Sequence, residues 1–519
     1  MHSGRHSSLS IRWLYQFHSP RKPLGIATQT MASKSDHGRV ILGPLDHIAP
    51  HNIPQSVIYL SLKQGVKAAD AFAHLQEGLR RTFMQVPWLS GSVHWQSEDT
   101  PGWRCGQLEI RYGRLAARPH QLRFNELDTV KSYSNLRETG FPLDAFDDEA
   151  ILWATPFEPD FHRGDEVFEA QANFLPGGCL LALSISAPAS DGTAMLTVTK
   201  LWADHCSSIL QSQNDGPVNS TVSLPLPSES SDRANLDKIL AKEETARLPG
   251  AQRDRETSQL IGLGPERGAA NALEPLGMKH SIFYMPHTAY AALRKECVAK
   301  YGATDISGND LVCALIWRSL MKAWTVANAT HRTFKVEDDG PIMLVELFMP
   351  FDARPHFAQS LPAIYLGNMN YENRVTMPLA DLVAPNASIS SIAQTIRTYA
   401  ASQAARDVFI DVYARLRTAP DYSRLQLRAT RAVRASVGIL SPIVLPFGDT
   451  CFGDHLFGNG GKPDAFRPMM GACNRGFRTC FVIPRKKHGG LEFVMTLSED
   501  EMKFLCDDDE FSRYAFPLG

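Results

Sequence analysis

A chain of 519 residues is too long for one ordinary hydrophobic core, so two domains are expected. With 44% hydrophobic and 21% charged residues, the composition is that of a folded globular protein and excludes a largely disordered, collagenous or coiled-coil chain. Lys+Arg 53 against Asp+Glu 55 leaves a formal charge of -2, so no global basic field exists to hold nucleic acid or an anionic membrane, and no uninterrupted apolar run is long enough for a membrane span.

In chain order, Arg5, Arg12, Arg21, Lys22 and Lys34 precede the first acid, Asp36. That composition is similar to a mitochondrial presequence. The favoured alternative is a start at Met31, with residues 1–40 a disordered or non-native extension that folding does not need, and a cytoplasmic location. Nine cysteines without zinc spacing fit a reducing compartment. A globular pattern begins near Ile41. Ser56 to Leu62 has strand composition. Ala68 to Phe83 is predicted as an amphipathic helix, with Phe72, Leu75, Leu79 and Phe83 on its core face and Pro87 stopping it. Cys179 to Ser186, a continuous apolar run entered through Gly177-Gly178, fits a strand covered on both faces, although periodicity alone leaves a buried helix open. It ends at Pro188. Asp191-Gly192 is a turn signal, and Thr193 to Cys206 has helical character.

Residues 211–277 shift to Pro, Ser and mixed charge and are expected to form a crossover or linker with one exposed helix. They divide an N-terminal domain (41–210) from a C-terminal domain (278–519). In the second half SIFYM is strand-like. Asn309 to Trp324 carries a helical core stripe, and Met343 to Met349 is a second buried-strand candidate, leading into Asp352 and Arg354. Ser388 to Arg417 is helical in character and Leu491 to Leu497 a strand. Ser498 and Glu501 form a capping box for a last helix.

The usual catalytic signatures are absent: there is no GxSxG, HExxH or Walker A sequence. Several collinear segments do carry a resemblance. Leu42-Gly43-Pro44-Leu45-Asp46 and the stretch His74 to Val93 resemble the opening of the BAHD acyltransferases, in particular their fungal trichothecene O-acetyltransferase-like branch. Asn309-Asp310 with Ala314, Trp317, Arg318 and Ser319 resembles that family's N-D-x-x-x-A-x-x-W-R-S helix. Tyr365-Leu366-Gly367-Asn368 resembles its Y-x-G-N segment, and Gly461-Lys462-Pro463 with Arg467 its G-K-P-x-x-x-R run. The resemblance extends to the C-terminus and implies an α/β fold of two similar-sized domains, with mixed sheets and flanking helices, of the chloramphenicol acetyltransferase-like type. A channel between the domains admits acyl-CoA from one face and a small-molecule acceptor from the other. Acyl-CoA is then a co-substrate, no cofactor or metal is bound, and the chain is expected to be a monomer.

The family's catalytic signature is H-x-x-x-D-G, whose imidazole removes the acceptor's proton as it attacks the thioester. Here the segment reads Ser186-Ala187-Pro188-Ala189-Ser190-Asp191-Gly192. Asp191 and Gly192 match, but Ala187 stands where the base belongs. Ser186, Ala187, Asp191 and Gly192 are therefore the candidate catalytic set, Ser186 and Ser190 flanking the vacated position. His205, His455 and His488 are alternative imidazoles. The resemblance also assigns Arg354 as the structural ion-pair partner of Asp191. It makes Asn368, Lys462 and Arg467 candidate contacts for substrate or CoA, with surface roles as the alternative for Lys462 and Arg467. The second family signature, D-F-G-x-G, is altered too: Phe457-Gly458-Asn459-Gly460 keeps F-G-x-G, Leu456 replaces the Asp, and Asp454 is a nearby substitute. Three readings stay open: a CoA-dependent O-acyltransferase of specialised metabolism, a repurposed pocket that shapes an intermediate without CoA, and a non-catalytic binding homologue.

Overall fold

The strand Gly178–Ile185 is the centre of the N-terminal half: all eight residues are buried. Gln55–Ser61 pairs with it on one side and Phe168–Leu175 on the other, both antiparallel, and Leu122–Glu126 lies parallel to the latter. The fifth strand of this sheet, Ala465–Pro468, comes from the far end of the chain and pairs antiparallel with Gln55–Ser61. The computed structural model describes residues 38–49, 55–146, 152–153, 159–214, 232–245, 278–301, 306–330, 342–362, 364–400, 403–425, 436–441, 450–469, 478–483 and 490–518.

One face of the five-stranded sheet is covered by the helices Ala68–Gln85 and Gly192–Asn214, whose Leu75, Leu79, Phe83, Val198 and Trp202 pack on Ile58, Leu181 and Leu183. The predicted stripe is seen, with Phe72 only half-buried at its rim. The C-terminal half is built on a seven-stranded mixed sheet in the order 370–378, 344–352, 436–440, 478–483, 491–498, 278–285 and 516–517. The helix Gly308–Thr330 buries Leu311, Leu315, Trp317 and Leu320 against it. A four-stranded sheet of residues 38–41, 108–112, 92–95 and 165–166 completes the first half. Among the described residues two large cores thus exist, one centred on each half, the first also taking in Leu366, Phe452 and Phe457. A third cluster, including Leu45, Leu236, Ala353, Tyr365 and Met369, draws on both halves and on the crossover.

Two expectations need correction. The crossover helix, Arg233–Thr245, is not exposed: Leu236 and Leu240 are buried and Tyr413 donates to Asp237 at 2.8 Å. The remaining residues of 215–277 lie outside the described residues. The stretch after Ser388 is helical as expected, in the helices Ile389–Ala400 and Gln403–Thr418. The turn after the central strand falls on Ala187–Ala189, while Gly192 already opens the next helix with an ordinary φ. The capping box forms as the spacing predicts, Ser498 and Glu501 bonding each other's backbone N–H.

Candidate functional site

The central strand delivers the loop 186–192 at its C-terminal end, and the bonds around that loop leave its backbone little freedom. Ser186 O accepts from the amides of Ala189 and Ser190, and Ser186 N donates to Val167 O. The Asn368 side-chain amide donates to Ala187 O and Pro188 O, both at 3.1 Å. Arg233 Nη2 donates to Ala189 O at 2.6 Å, and Ser190 Oγ donates to Leu366 O at 2.8 Å. Every carbonyl from Ser186 to Ala189 therefore has a partner, and three of the four are held by elements distant in sequence.

Asp191 caps the helix Gly192–Asn214, accepting from Ala194 N at 3.0 Å, where a carboxylate also complements the helix dipole. Its oxygens receive Arg354 Nη2 at 2.9 and 3.0 Å, Met369 N at 2.8 Å and Asn370 N at 3.2 Å. The expected Asp191–Arg354 pair is present and nearly buried, with side-chain exposures of 6% and 16%. Arg354 completes its fork on Asp352, Tyr365 O and Gly367 O. Burial opposes its charge, but the carboxylates of Asp191 and Asp352 outweigh burial and hold the guanidinium above its ordinary pKa.

Behind the loop lies a second buried carboxylate. Asp46 accepts from Gly43 N, from the backbone and side-chain amides of Asn368, and from Arg233 Nε at 3.1 Å. Nothing in the residue pattern flagged Arg233, which sits in a mixed-charge run of the crossover. Asp46 was visible only as the last residue of a family-like opening.

The candidate catalytic residues divide sharply. Ala187 is nearly buried and carries no titratable group. Ser186 Oγ is fully buried with no hydrogen-bond partner among the described residues. Gly192 is exposed, and a Cβ built there meets nothing within 4 Å. Asn368, expected as a substrate contact, is 5% exposed and its side-chain amide clamps the loop's carbonyls. Arg467 is corrected too. It is 2% exposed, pairs with Glu492 of the seven-stranded sheet at 2.9 Å, and bonds Phe141 O, Gly140 O and Phe466 O, so its guanidinium is a strut between sheets.

Lys462 is exposed, and its segment is not beside the loop. Phe457 and Gly458 bridge to Leu62 and Ser61, and Ser61 pairs with Gly178 at the opposite end of the central strand. Eight residues of strand separate that end from Ser186, roughly 26 Å at the usual rise. Asp454, exposed in the same segment, is equally remote. The alternative imidazoles are elsewhere as well. His205 bonds Gln85, His455 packs edge-on against His74 at 4.7 Å, and His488 lies outside the described residues. Burial raises the Tyr365 phenol, so it is no substitute base. Among the described residues no group of three His, Cys, Asp or Glu could hold a metal ion.

Two mixed-sheet halves, a crossover, and a loop anchored by Asp–Arg at the end of a buried strand define a two-domain protein of the chloramphenicol acetyltransferase-like class. The chain belongs to the Transferase family, whose profile matches residues 147–512; a profile of the trichothecene 3-O-acetyltransferase-like N-terminal domain matches residues 54–206. In solved structures the same fold occurs in F. graminearum TRI101 complexed with coenzyme A and T-2 mycotoxin, at TM-score 0.72 and 20% identity, over 93% of this chain and 100% of that one. An isocyanide synthase-NRPS hybrid of Aspergillus fumigatus is 28% identical over 91% of this chain, and an enoyl-CoA isomerase/hydratase of Penicillium crustosum 24% identical over 91%. This chain spans only 31% and 50% of the lengths of those two relatives.

Proposed function

We propose that the protein is an acyl-CoA-dependent O-acyltransferase acting on a small specialised metabolite, with orientation rather than an imidazole base as its main catalytic device. The observation that carries this reading is the loop scaffold, in which the carbonyls of residues 186–189 and the carboxylate of Asp191 are all held although the base position is a methyl group. The acceptor oxygen attacks the thioester carbonyl, the C–S bond breaks, and the acceptor's proton passes through water or a substrate group to the departing thiolate, giving an ester and free CoA thiol. A positioned general base contributes about 10²–10⁴-fold, whereas holding two reactants in attack geometry can contribute more. The trichothecene acetyltransferase-like profile and the coenzyme A complex of the structural neighbour support the substrate class. The division at residues 211–277, a monomeric state and a cytoplasmic location belong to the same reading. Eight described cysteines, all free, agree with a reducing compartment, and no described helix is long and apolar enough to cross a membrane.

One observation favours a second reading. With Ala187 at the base position and no imidazole bonded to the loop among the described residues, the loop scaffold also suits a reaction that needs orientation alone, such as conversion of a biosynthetic intermediate without CoA. Incubation with a panel of acyl-CoAs and candidate acceptors, following free thiol release, decides between them. Acceptor-dependent thiol release is expected. A folded protein that releases no thiol, yet converts or binds an intermediate without CoA, refutes the acyltransferase reading.

A further inference from the structure

We propose that Arg233, the first residue of the crossover helix, is a positioning residue of the loop 186–192. Through it the docked crossover sets the direction of the loop's carbonyls and amides. A side chain 5% exposed carries a full charge here, which burial alone would oppose. Asp46, at 3.1 Å, answers that charge, and the Trp88 ring lies beneath the guanidinium at 5.2 Å. Burial works against the charged form, and Asp46 outweighs it, so Arg233 is held above its ordinary pKa.

Buried ion pairs add little net stability compared with an apolar filling of the same volume, so the arrangement is better explained by what it orients. Arg233 Nη2 ends on Ala189 O at 2.6 Å. Its carboxylate partner binds both amides of Asn368, and Asn368 in turn holds Ala187 O and Pro188 O. One guanidinium thus fixes three consecutive carbonyls, one directly and two through Asp46 and Asn368. Lysine could not reproduce this, because its single ammonium lacks the planar fork that serves Asp46 and Ala189 O at once. Leu236 and Leu240, buried further along the same helix, keep Arg233 in place.

The test uses the full chain and reads the loop itself. Hydrogen exchange by mass spectrometry follows the amides of Ala189 and Ser190, both bonded to Ser186 O. Arg233→Met, which also leaves Asp46 buried without its cation, is expected to speed their exchange roughly ten-fold or more beyond any change in the strands Met278–Met285 and Leu491–Ser498, the mark of a local opening added to whatever global stability is lost. Arg233→Lys should restore protection only in part. Asp46→Asn, which keeps volume and one acceptor, should loosen the same amides if Arg233→Met does not fold. Unchanged loop exchange in the folded variants overturns the proposal. So does an equal loss of protection throughout the chain, since that marks a merely structural residue. A second arm rests on the acyltransferase reading: kcat for thiol release should fall in Arg233→Met with KM for acyl-CoA little changed. Absence of turnover in the unaltered protein counts against that reading alone, because the exchange arm needs none.

Discussion

Position 187 is where chemistry and scaffold part company. The backbone that would aim an imidazole is held from three sides, yet the side chain is a methyl group. Ala187→His is therefore expected to raise acyl-CoA turnover, by about ten-fold given the range for general bases, in a thiol-release assay. Pro188 favours extended backbone at 187 and could blunt the gain. In a repurposed pocket the added ring would instead fill substrate volume and lower the native conversion. Asp191 answers to stability as well as geometry. Asp191→Asn keeps its size but sets an amide against the Arg354 guanidinium and three backbone donors. It should destabilise the fold by about 3 kcal/mol, near the low end for a broken buried pair because Asp352 remains with Arg354; urea unfolding measures it.

Among the elements, the short strand Ala465–Pro468 joins the two halves most directly. Arg467 lies in it, and Glu492 lies in the seven-stranded sheet, each side chain 2% exposed. Arg467→Met or Glu492→Leu alone should each cost about 3–5 kcal/mol, since each strands a buried charge. The double variant should recover most of that loss, and a double-mutant cycle by chemical denaturation reads the coupling. The same residue shows where sequence reasoning falls short. A Gly-Lys-Pro run ending in Arg has the composition of an exposed ligand loop, but its last residues pair with a strand just over four hundred residues away, which no local pattern reports. The central strand was legible because an uninterrupted apolar run needs cover on both faces. The Asp191–Arg354 pair was legible only through family resemblance, and Arg233 not at all, because its partners Asp46 and Ala189 give the crossover no periodic mark.

At the scale of the molecule, the buried imidazoles set a pH dependence. Burial, then the neighbouring His455, pushes the pKa of His74 down from 6.5 to about 4, while its ring bonds Phe452 O. The unfolded chain takes up this proton near pH 6.5 and the folded chain does not, so stability declines as pH falls from about 6.5 to 4. The difference between the two states corresponds to roughly 3 kcal/mol at the acid end of that window. Glu77, held down to about 2 by Arg80 despite partial burial, adds a loss of the same sign below the ordinary carboxylate range. Denaturant midpoints measured from pH 7 to 4 should fall more steeply in the unaltered protein than in His74→Gln, and equal slopes would refute the assignment.

The strand Ala465–Pro468 also has a consequence for how the chain is made. Ribosomes deliver residues in order, so Gln55–Ser61 emerges early with one edge unpaired, and its partner follows roughly 400 residues later. At about 5–20 residues per second that interval is roughly 20–80 s, long compared with the folding of most single domains. During it the nascent N-terminal half presents an apolar, hydrogen-bond-hungry β-edge, the feature that invites pairing between chains on a polysome. Translation speed and chaperone occupancy over that interval, more than the equilibrium stability of the finished fold, then govern how much native protein a cell obtains.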